Sequence, residues 1–414
     1  MARLSALTLL LAVLVMGCSP LSTGSDETVE AGSEAQGAVA PVDIDDRIVV
    51  ATTDGSIAVY TGDGDEVVRF DPEAGSLYRW PTWLDQDTIV FSEADGSGAG
   101  ALVAGDASSG QVLWRAEMDT SPFYYSPSPP GARFATTSLR NDPSGGLIGQ
   151  FVDSEGVVSP LSGDSPIYTA WSPDGSSIAT HIAGTSLSVF DGSEWGELLS
   201  PTGTFQAPSW TEHGLVTLRT VDGEQRLSVW SEGLFEDVVS VEGPTGFVAA
   251  GARAAVFPTL SGEAGAISAS MRVQNVEQLR GERLTVVDLE DGSTELVSSD
   301  LVATFQWDQT GERLLFAAVV GEAGDARLEW SVWGDGESTM VASHQIQLPW
   351  ARNLLPFQDQ YAQSVRLWSP SGSRIAFPAL VDGTDVVVIQ PVDGTPEVII
   401  SDAVWSAWAP DSSR

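Results

Sequence analysis

The sequence predicts an all-β chain wound into a β-propeller, and three observations carry that expectation. A five-residue phrase recurs: Trp171-Ser172-Pro173-Asp174-Gly175 returns as Trp368-Ser369-Pro370-Ser371-Gly372, as Trp307-Asp308-Gln309-Thr310-Gly311 and as Trp408-Ala409-Pro410-Asp411-Ser412. Weaker copies begin at Trp83, Pro127, Trp210 and Phe247, so most intervals between anchors are 37–44 residues. Behind an anchor come three short strand-like runs divided by Gly/Asp turns, such as Ile178–Ile182, Ser186–Phe190 and Trp195–Leu199. Four strands in a unit of about 40–45 residues make the blade of a propeller.

The phrase suits a strand that runs into a tight turn. Proline presets φ at the first central position, Asp or Ser bonds the local backbone, and glycine takes positive φ. The chain ends supply closure. Trp408 opens a last unit that stops at Arg414, while Arg47–Thr52, Ser56–Tyr60 and Glu66–Phe70 are three strands with no anchor before them. Pairing the two ends completes one blade and removes the open edge of the sheet array. The expected ring has eight four-stranded blades, or seven if the Phe247 unit is not a blade. These repeats resemble the WSPDG-type propeller repeats of the Tol-system TolB proteins, a WD-repeat-like family, over residues 47–414. The resemblance implies the fold, and association with a cell-envelope complex as one role.

At the other end of the chain, Arg3 precedes an apolar stretch, Leu4–Met16, that is too short to span a bilayer and reads as a signal peptide. Val15-Met16-Gly17-Cys18 closes it. The segment resembles bacterial lipoprotein signals, which implies cleavage after Gly17 and lipid attachment to Cys18. Cys18 is the one cysteine of the chain, so an internal disulfide is excluded. Residues 18–45 run through Ser, Thr, Gly, Glu and Ala without hydrophobic periodicity, a composition that cannot repay the entropy of ordering. The expected organisation is a signal peptide over 1–17, a flexible lipid-anchored tether over 18–45 and a single propeller domain over 46–414.

Two anchor intervals are longer, at 60 and 61 residues. The insertion at about Pro258–Glu282 follows the second strand of its blade, and that at about Gln347–Ser364 follows the fourth strand of the next. In a four-stranded meander the turns after strands two and four lie on one face, so both insertions leave the ring on the face opposite the repeated phrase. Pro258–Arg283 balances Arg272, Arg280 and Arg283 against Glu263, Glu277 and Glu282, and Gln347–Arg366 sets Arg352 and Arg366 against Asp359. Both are nearly neutral in a chain of net charge −38. Trp350, Phe357 and Tyr361 accompany Arg352, and Trp, Tyr and Arg dominate binding hot spots. Trp350, Arg352, Phe357, Tyr361, Arg272 and Arg280 are therefore the candidate partner-binding residues, against the simpler reading that the aromatics pack the insertion onto its own blades.

The chemistry of an enzyme is harder to find. There is no G-x-S-x-G nucleophile elbow, and His181, His213 and His344 fall on different blades with no H-E-x-x-H pair. Asp63 and Asp65 are better explained by a hairpin turn than by calcium, and six of the fourteen tryptophans sit at anchors rather than in a sugar-stacking set. No catalytic residue, metal or cofactor is assigned. With 57 acidic residues against 19 basic ones, all arginine, the chain has no basic face for nucleic acid and is repelled by anionic lipid head groups. The leading expectation is a monomeric, lipid-anchored, periplasmic or extracellular propeller. It binds an envelope protein or peptide on its insertion-bearing face and touches the membrane through Cys18 alone. An envelope hydrolase or lyase acting on a sugar or lactone in the central channel, and a small-ligand sensor, are the alternatives.

Overall fold

The computed structural model describes residues 46–96, 100–129, 131, 133–139, 146–161, 168–182, 185–202, 206–241, 245–258, 281–321 and 326–411. Cys18, the tether and most of the first insertion, with Arg272 and Arg280, lie outside the described residues.

The described strands run in meanders. β1 (Arg47–Thr52), β2 (Ile57–Thr61) and β3 (Glu66–Phe70) open the chain. Four four-stranded antiparallel sheets follow. They are β4–β7 (Ser76–Trp83, Thr88–Asp95, Gly100–Asp106, Val112–Met118), β8–β11 (Tyr124–Pro127, Arg133–Leu139, Leu147–Asp153, Val158–Pro160), β12–β15 (Tyr168–Trp171, Ile178–Ile182, Ser186–Phe190, Trp195–Leu199) and β16–β19 (Ser209–Thr211, Gly214–Val221, Glu224–Ser231, Leu234–Val241). β20–β29 (Thr245–Ala250, Arg253–Pro258, Gly281–Asp288, Thr294–Trp307, Leu314–Val320, Arg327–Gly334, Glu337–Ile346, Arg374–Val381, Thr384–Pro391, Val398–Ser401) form one ten-stranded sheet. That sheet holds three successive meanders. The 14-residue β23 serves two of them, pairing with β22 through Val286↔Glu295 and with β24 through Trp307↔Leu314. In the third, a bridge from Trp368 to Ile375 supplies the inner segment.

Closure follows the expected route. β30 (Ala403–Trp408) pairs antiparallel with β1, Ile48 facing Trp408 and Val50 facing Ser406, so the two ends of the chain share one sheet. Burial falls from the axis outward: β1 and β12 are wholly buried, whereas β3, β7, β15 and β19, the last strands of their sheets, expose much of their length.

The anchor tryptophans explain why neighbouring sheets stay together. Each reaches back to the inner strand of the preceding sheet and donates its indole N–H to a backbone carbonyl. Trp83 bonds Ala407 O (2.9 Å), Trp171 bonds Ser126 O (2.8 Å), Trp210 bonds Ala170 O (3.0 Å), Trp307 bonds Val248 O (3.0 Å) and Trp368 bonds Gln306 O (3.1 Å). Four of these acceptors stand one residue before their own sheet's anchor. In the fifth, Val248 O places the anchor position at Ala249, two residues beyond the expected Phe247, because the phrase there carries neither Trp nor Pro to mark it. Trp408 is the exception, its indole N–H being buried without a partner.

Arginine completes the contact. Arg133 and Arg313, which follow the turn on their sheets, and Arg47, which opens β1, lay their guanidinium groups over Trp171, Trp368 and Trp83 of the next sheet, at 5.3, 4.8 and 5.5 Å from the ring. A planar guanidinium adds stacking to the cation–π attraction that an ammonium would also have, so arginine suits these positions better than lysine. The glycines of the phrase hold the expected left-handed backbone, with φ of +67° at Gly175, +73° at Gly311 and +64° at Gly372.

Part of the acidity is turn chemistry. Asp174 accepts from the Ser172 hydroxyl (2.6 Å) and the Ser176 N–H (3.0 Å), and Asp191 accepts from the backbone of Ser193 and Glu194. These bonds favour the ionised form. They hold Asp174 below the usual carboxylate range, first through the Ser172 hydroxyl, and take Asp191 down to about 2, first through the Glu194 N–H.

Two outcomes are expected. Trp368→Phe leaves the buried Gln306 carbonyl without its donor and costs about 1–3 kcal/mol, whereas Trp408→Phe removes an unpartnered N–H and costs less; denaturant midpoints compare them, and equal losses would refute the indole link. Carboxylates held below their unfolded values contribute stability above about pH 4 and lose it as the pH falls further, so the thermal midpoint drops between about pH 4 and 2. A flat midpoint over that range would count against the turn assignment.

Candidate functional site

The second insertion does not project from the ring as expected; it turns inward and crosses the axis. After Gln347 it forms α1 (Leu348–Leu354), a 3-10 turn (Leu355–Phe357) and α2 (Gln358–Tyr361). Most of its apolar side chains are buried, Trp350, Ala351, Leu354, Leu355 and Tyr361 among them, while Leu348, Arg352 and Asn353 face solvent. Trp350 packs on Trp330, which stacks on Phe377, and Tyr361 meets Tyr124 and Trp405 edge-on.

The polar side chains of the insertion then reach out to inner strands around the ring. Gln360 Oε1 accepts the Thr169 N–H (2.8 Å) and its Nε2 donates to Thr169 O (3.0 Å), so one amide pairs both backbone groups on the free edge of β12. Gln358 Oε1 accepts the Phe305 N–H of β23 (2.9 Å), and Gln363 Nε2 donates to Pro208 O (3.0 Å) ahead of β16. Tyr361 donates to Phe123 O (3.2 Å) beside β8, Thr82 of β4 donates to Ser364 O (2.6 Å), and Gln347 Nε2 donates to Ala403 O (3.4 Å) of β30. From within β23, Gln306 takes the Leu367 N–H (2.7 Å) and gives to Val365 O (2.9 Å), holding the exit of the insertion.

A segment that bonds inner strands on all these sheets at once occupies the axis, and we call it the plug. Its logic is that of an edge. An inner strand presents unpaired N–H and C=O groups to the channel, where each needs a partner. A glutamine amide carries one donor group and one acceptor and can stand in for a neighbouring strand.

Burial sets the ionisation of the plug. Desolvation pushes the carboxyl of Asp359 up to about 6, against the pull of the N–H groups it accepts, among them that of Ala207 at 2.8 Å. Tyr124 rises to about 12, Tyr125 and Tyr361 are pushed higher still and Tyr168 is raised well above the ordinary phenol range, all chiefly by burial, so the phenols around the axis stay protonated. Arg366 is lowered to about 10 by desolvation and keeps its charge.

The candidate residues divide accordingly. Trp350 and Tyr361 are 2% and 8% exposed and belong to the largest hydrophobic cluster, so as surface contacts for a partner they are corrected: their rings are spent holding the plug in the ring. Phe357 is half-buried against the same cluster, and Arg352 alone of the four is exposed. The histidines are scattered. His181 contacts Gln206 O and Thr202, His344 meets Glu397 (2.8 Å), and His213 lies near Glu212 and Glu290. Asp63 pairs with Arg374 (2.7 Å). Among the described residues no group of three or more His, Cys, Asp or Glu is placed to hold a metal ion. A groove of about 360 Å³ lies away from the plug, between the first half of β23 and β24–β26, lined by Ser298, Asp300, Phe316, Glu329 and Ser331 among others.

Sequence reasoning fixed on aromatics and arginine and passed over the glutamines. Gln347, Gln358, Gln360 and Gln363 fall in one 18-residue insertion, and that density was the available signal for a segment that pairs backbone edges.

No protein-family profile and no curated protein sequence matches the chain. Solved structures do. The dihydro-heme d1 dehydrogenase NirN matches at 10% identity with a TM-score of 0.57, over 92% of this chain and 77% of that one. The C-terminal WD40 domain of Sif2 matches at 12% identity and 0.51, over 85% and 93%. TolB from Acinetobacter baumannii, of the kind the repeats resemble, is also among the matches, at 14% identity and a lower TM-score of 0.39, over 81% and 82%. The likeness to NirN and Sif2 is one of fold, and with the sheet topology it makes this chain a β-propeller.

Gln360→Leu strips both partners from the Thr169 backbone and is expected to cost about 2–6 kcal/mol, from two buried groups at about 1–3 kcal/mol each. Gln363→Leu breaks one bond at a half-buried site and costs less. Urea unfolding of the two variants measures the difference, and a Gln360→Leu protein as stable as the wild type would sink the edge-pairing account.

Proposed function

We propose that this protein is a lipid-anchored, extracytoplasmic propeller of eight blades that serves as a non-catalytic binding scaffold in the cell envelope. The plug is the observation that carries this reading. It fills the axis with apolar rings and backbone-pairing amides, so the channel is spent on structure, and it leaves an exposed ridge at the centre of one face where Leu348, Arg352 and Asn353 stand together. An arginine beside a leucine on a rigid platform can seat a protein or peptide that brings a carboxylate and an apolar group. The signal-like segment ending at Cys18, the tether behind it and the acidic body support placement outside the cytoplasm, held near a membrane but repelled from its surface.

Affinity capture from native membranes tests the scaffold. The wild type is expected to recover a specific protein that an Arg352→Glu variant loses, with thermal stability unchanged because Arg352 is exposed. Recovery of the same partner by both would move the site off the ridge. Cys18→Ser is expected to release the protein into the soluble fraction, and a variant that stays with the membrane would overturn the lipid anchor.

A further inference from the structure

β23 serves two meanders, and the angle it makes between them is a recess that the plug does not use. It pairs with β22 from Thr294 to Val302 and with β24 from Val302 to Trp307, so Val302 faces Gly281 on one side and Ala318 on the other. Before that point the strand parts from β24. The groove of about 360 Å³ is the gap between residues 296–300 and the face of β24–β26, and its size is that of a small-ligand site.

The walls run from apolar to acidic. Residues opposite one another on paired strands share a face, which sets Phe316 beside Ser331 and Met340, and Ala318 beside Glu329 and Ser343. Phe316 and Ala318 are buried and make an apolar back wall, while Leu296 on β23 and Met340 on β26 stand exposed beside the opening. Two carboxylates line the groove. Asp300 is steered by Ser298, whose hydroxyl donates to Oδ2 (3.3 Å) and accepts the Asp300 N–H (3.1 Å). Glu329 is half-buried and makes no hydrogen bond or ion pair among the described residues. Arg327, the one arginine of β25, pairs with neither: it is turned to Ser343, giving Nε to the hydroxyl (3.3 Å) and an Nη to the carbonyl (2.7 Å). Trp333 shares the face of β25 with Glu329 and stands opposite Ser338 of the groove; it is 3% exposed, and its indole N–H has no partner. This wall thus holds a carboxylate and a donor that the chain leaves unanswered, whereas polar groups at a sealed contact between sheets are paired.

We propose that the groove is a second binding site, apart from the ridge of the plug, that receives a basic side chain of a peptide or protein partner. A guanidinium or ammonium group offers donors only, which suits two carboxylates flanked by serine hydroxyls. The back wall covers the methylene stem of such a residue, and Leu296 and Met340 meet apolar neighbours on either side of it. The net charge of −38 draws a basic partner toward the ring, and the groove gives that charge one place to dock. The site does not depend on the ridge, where Arg352 selects the opposite charge.

Fluorescence anisotropy of a labelled leucine–arginine–leucine peptide, titrated with the full chain, tests this. Salt of about 0.15 M, with a Debye length of about 8 Å, screens distant carboxylates. Saturable binding is expected, weakened about tenfold by Glu329→Gln and further when Asp300→Asn is added. A control pair, Glu194→Gln with Glu197→Gln, removes two exposed carboxylates from another sheet and is expected to leave binding unchanged. Citrulline in place of arginine keeps the shape without the charge and is expected to cost about tenfold as well. Equal weakening by the two pairs would reduce the effect to net charge and overturn the site. So would a citrulline peptide that binds as well as the arginine one, full affinity in the Asp300, Glu329 double variant, or no saturable binding at all. If the double variant does not fold, Glu329→Gln alone, which breaks no bond, carries the comparison.

Discussion

Everything in this ring leans on the indole N–H that an anchor tryptophan gives to the inner strand of the sheet before it. Sheets in a propeller meet face to face, and apolar packing alone leaves their relative slide poorly specified, because it is non-directional. A directed bond to one named carbonyl removes that freedom, and the guanidinium laid over Trp83, Trp171 or Trp368 closes the ring from its other side. The repeated phrase therefore encodes two things within a few residues: a turn that ends the inner strand and a donor that fixes the next sheet on the last.

The plug solves a problem those bonds leave open. Radial packing brings inner strands together without giving their channel-side edges any partner. Water can serve those edges in an open channel. Here a short helical insertion does so, with Gln360 spanning both backbone groups of Thr169 and Gln358 taking the Phe305 N–H of β23, while Gln306 of that strand holds the exit of the insertion. Because one segment serves many sheets, it ties together parts of the ring that are far apart in sequence, such as Thr82 with Ser364.

Fold was legible in the sequence because it is written locally and repeatedly. Pro173, Asp174 and Gly175 specify a turn wherever they occur, and strand after strand restarts behind the phrase. Where the phrase decays, the signal fades: around Phe247 it carries neither Trp nor Pro, and the carbonyl of Val248 places the anchor at Ala249. The site was less legible for a different reason. Trp350, Arg352 and Tyr361 form an interface pattern by composition, but composition does not say whether the partner is another molecule or the rest of the chain. The strand order correctly placed the insertion on the face away from the repeated turns; only tertiary structure shows it folding back over the axis. Glutamine at Gln358 and Gln360 is a common surface residue whose meaning here depends entirely on the edges it meets.

The shared strand β23 has a consequence for how such a ring can change over generations. Propellers gain and lose units by copying or deleting whole meanders, and a tolerated cut falls in a loop between an outer strand and the next inner one. Between the sheet ending in the first half of β23 and the one beginning in its second half there is no such loop, since a single strand runs from Thr294 to Trp307. A recombination event at that boundary would have to sever a paired strand.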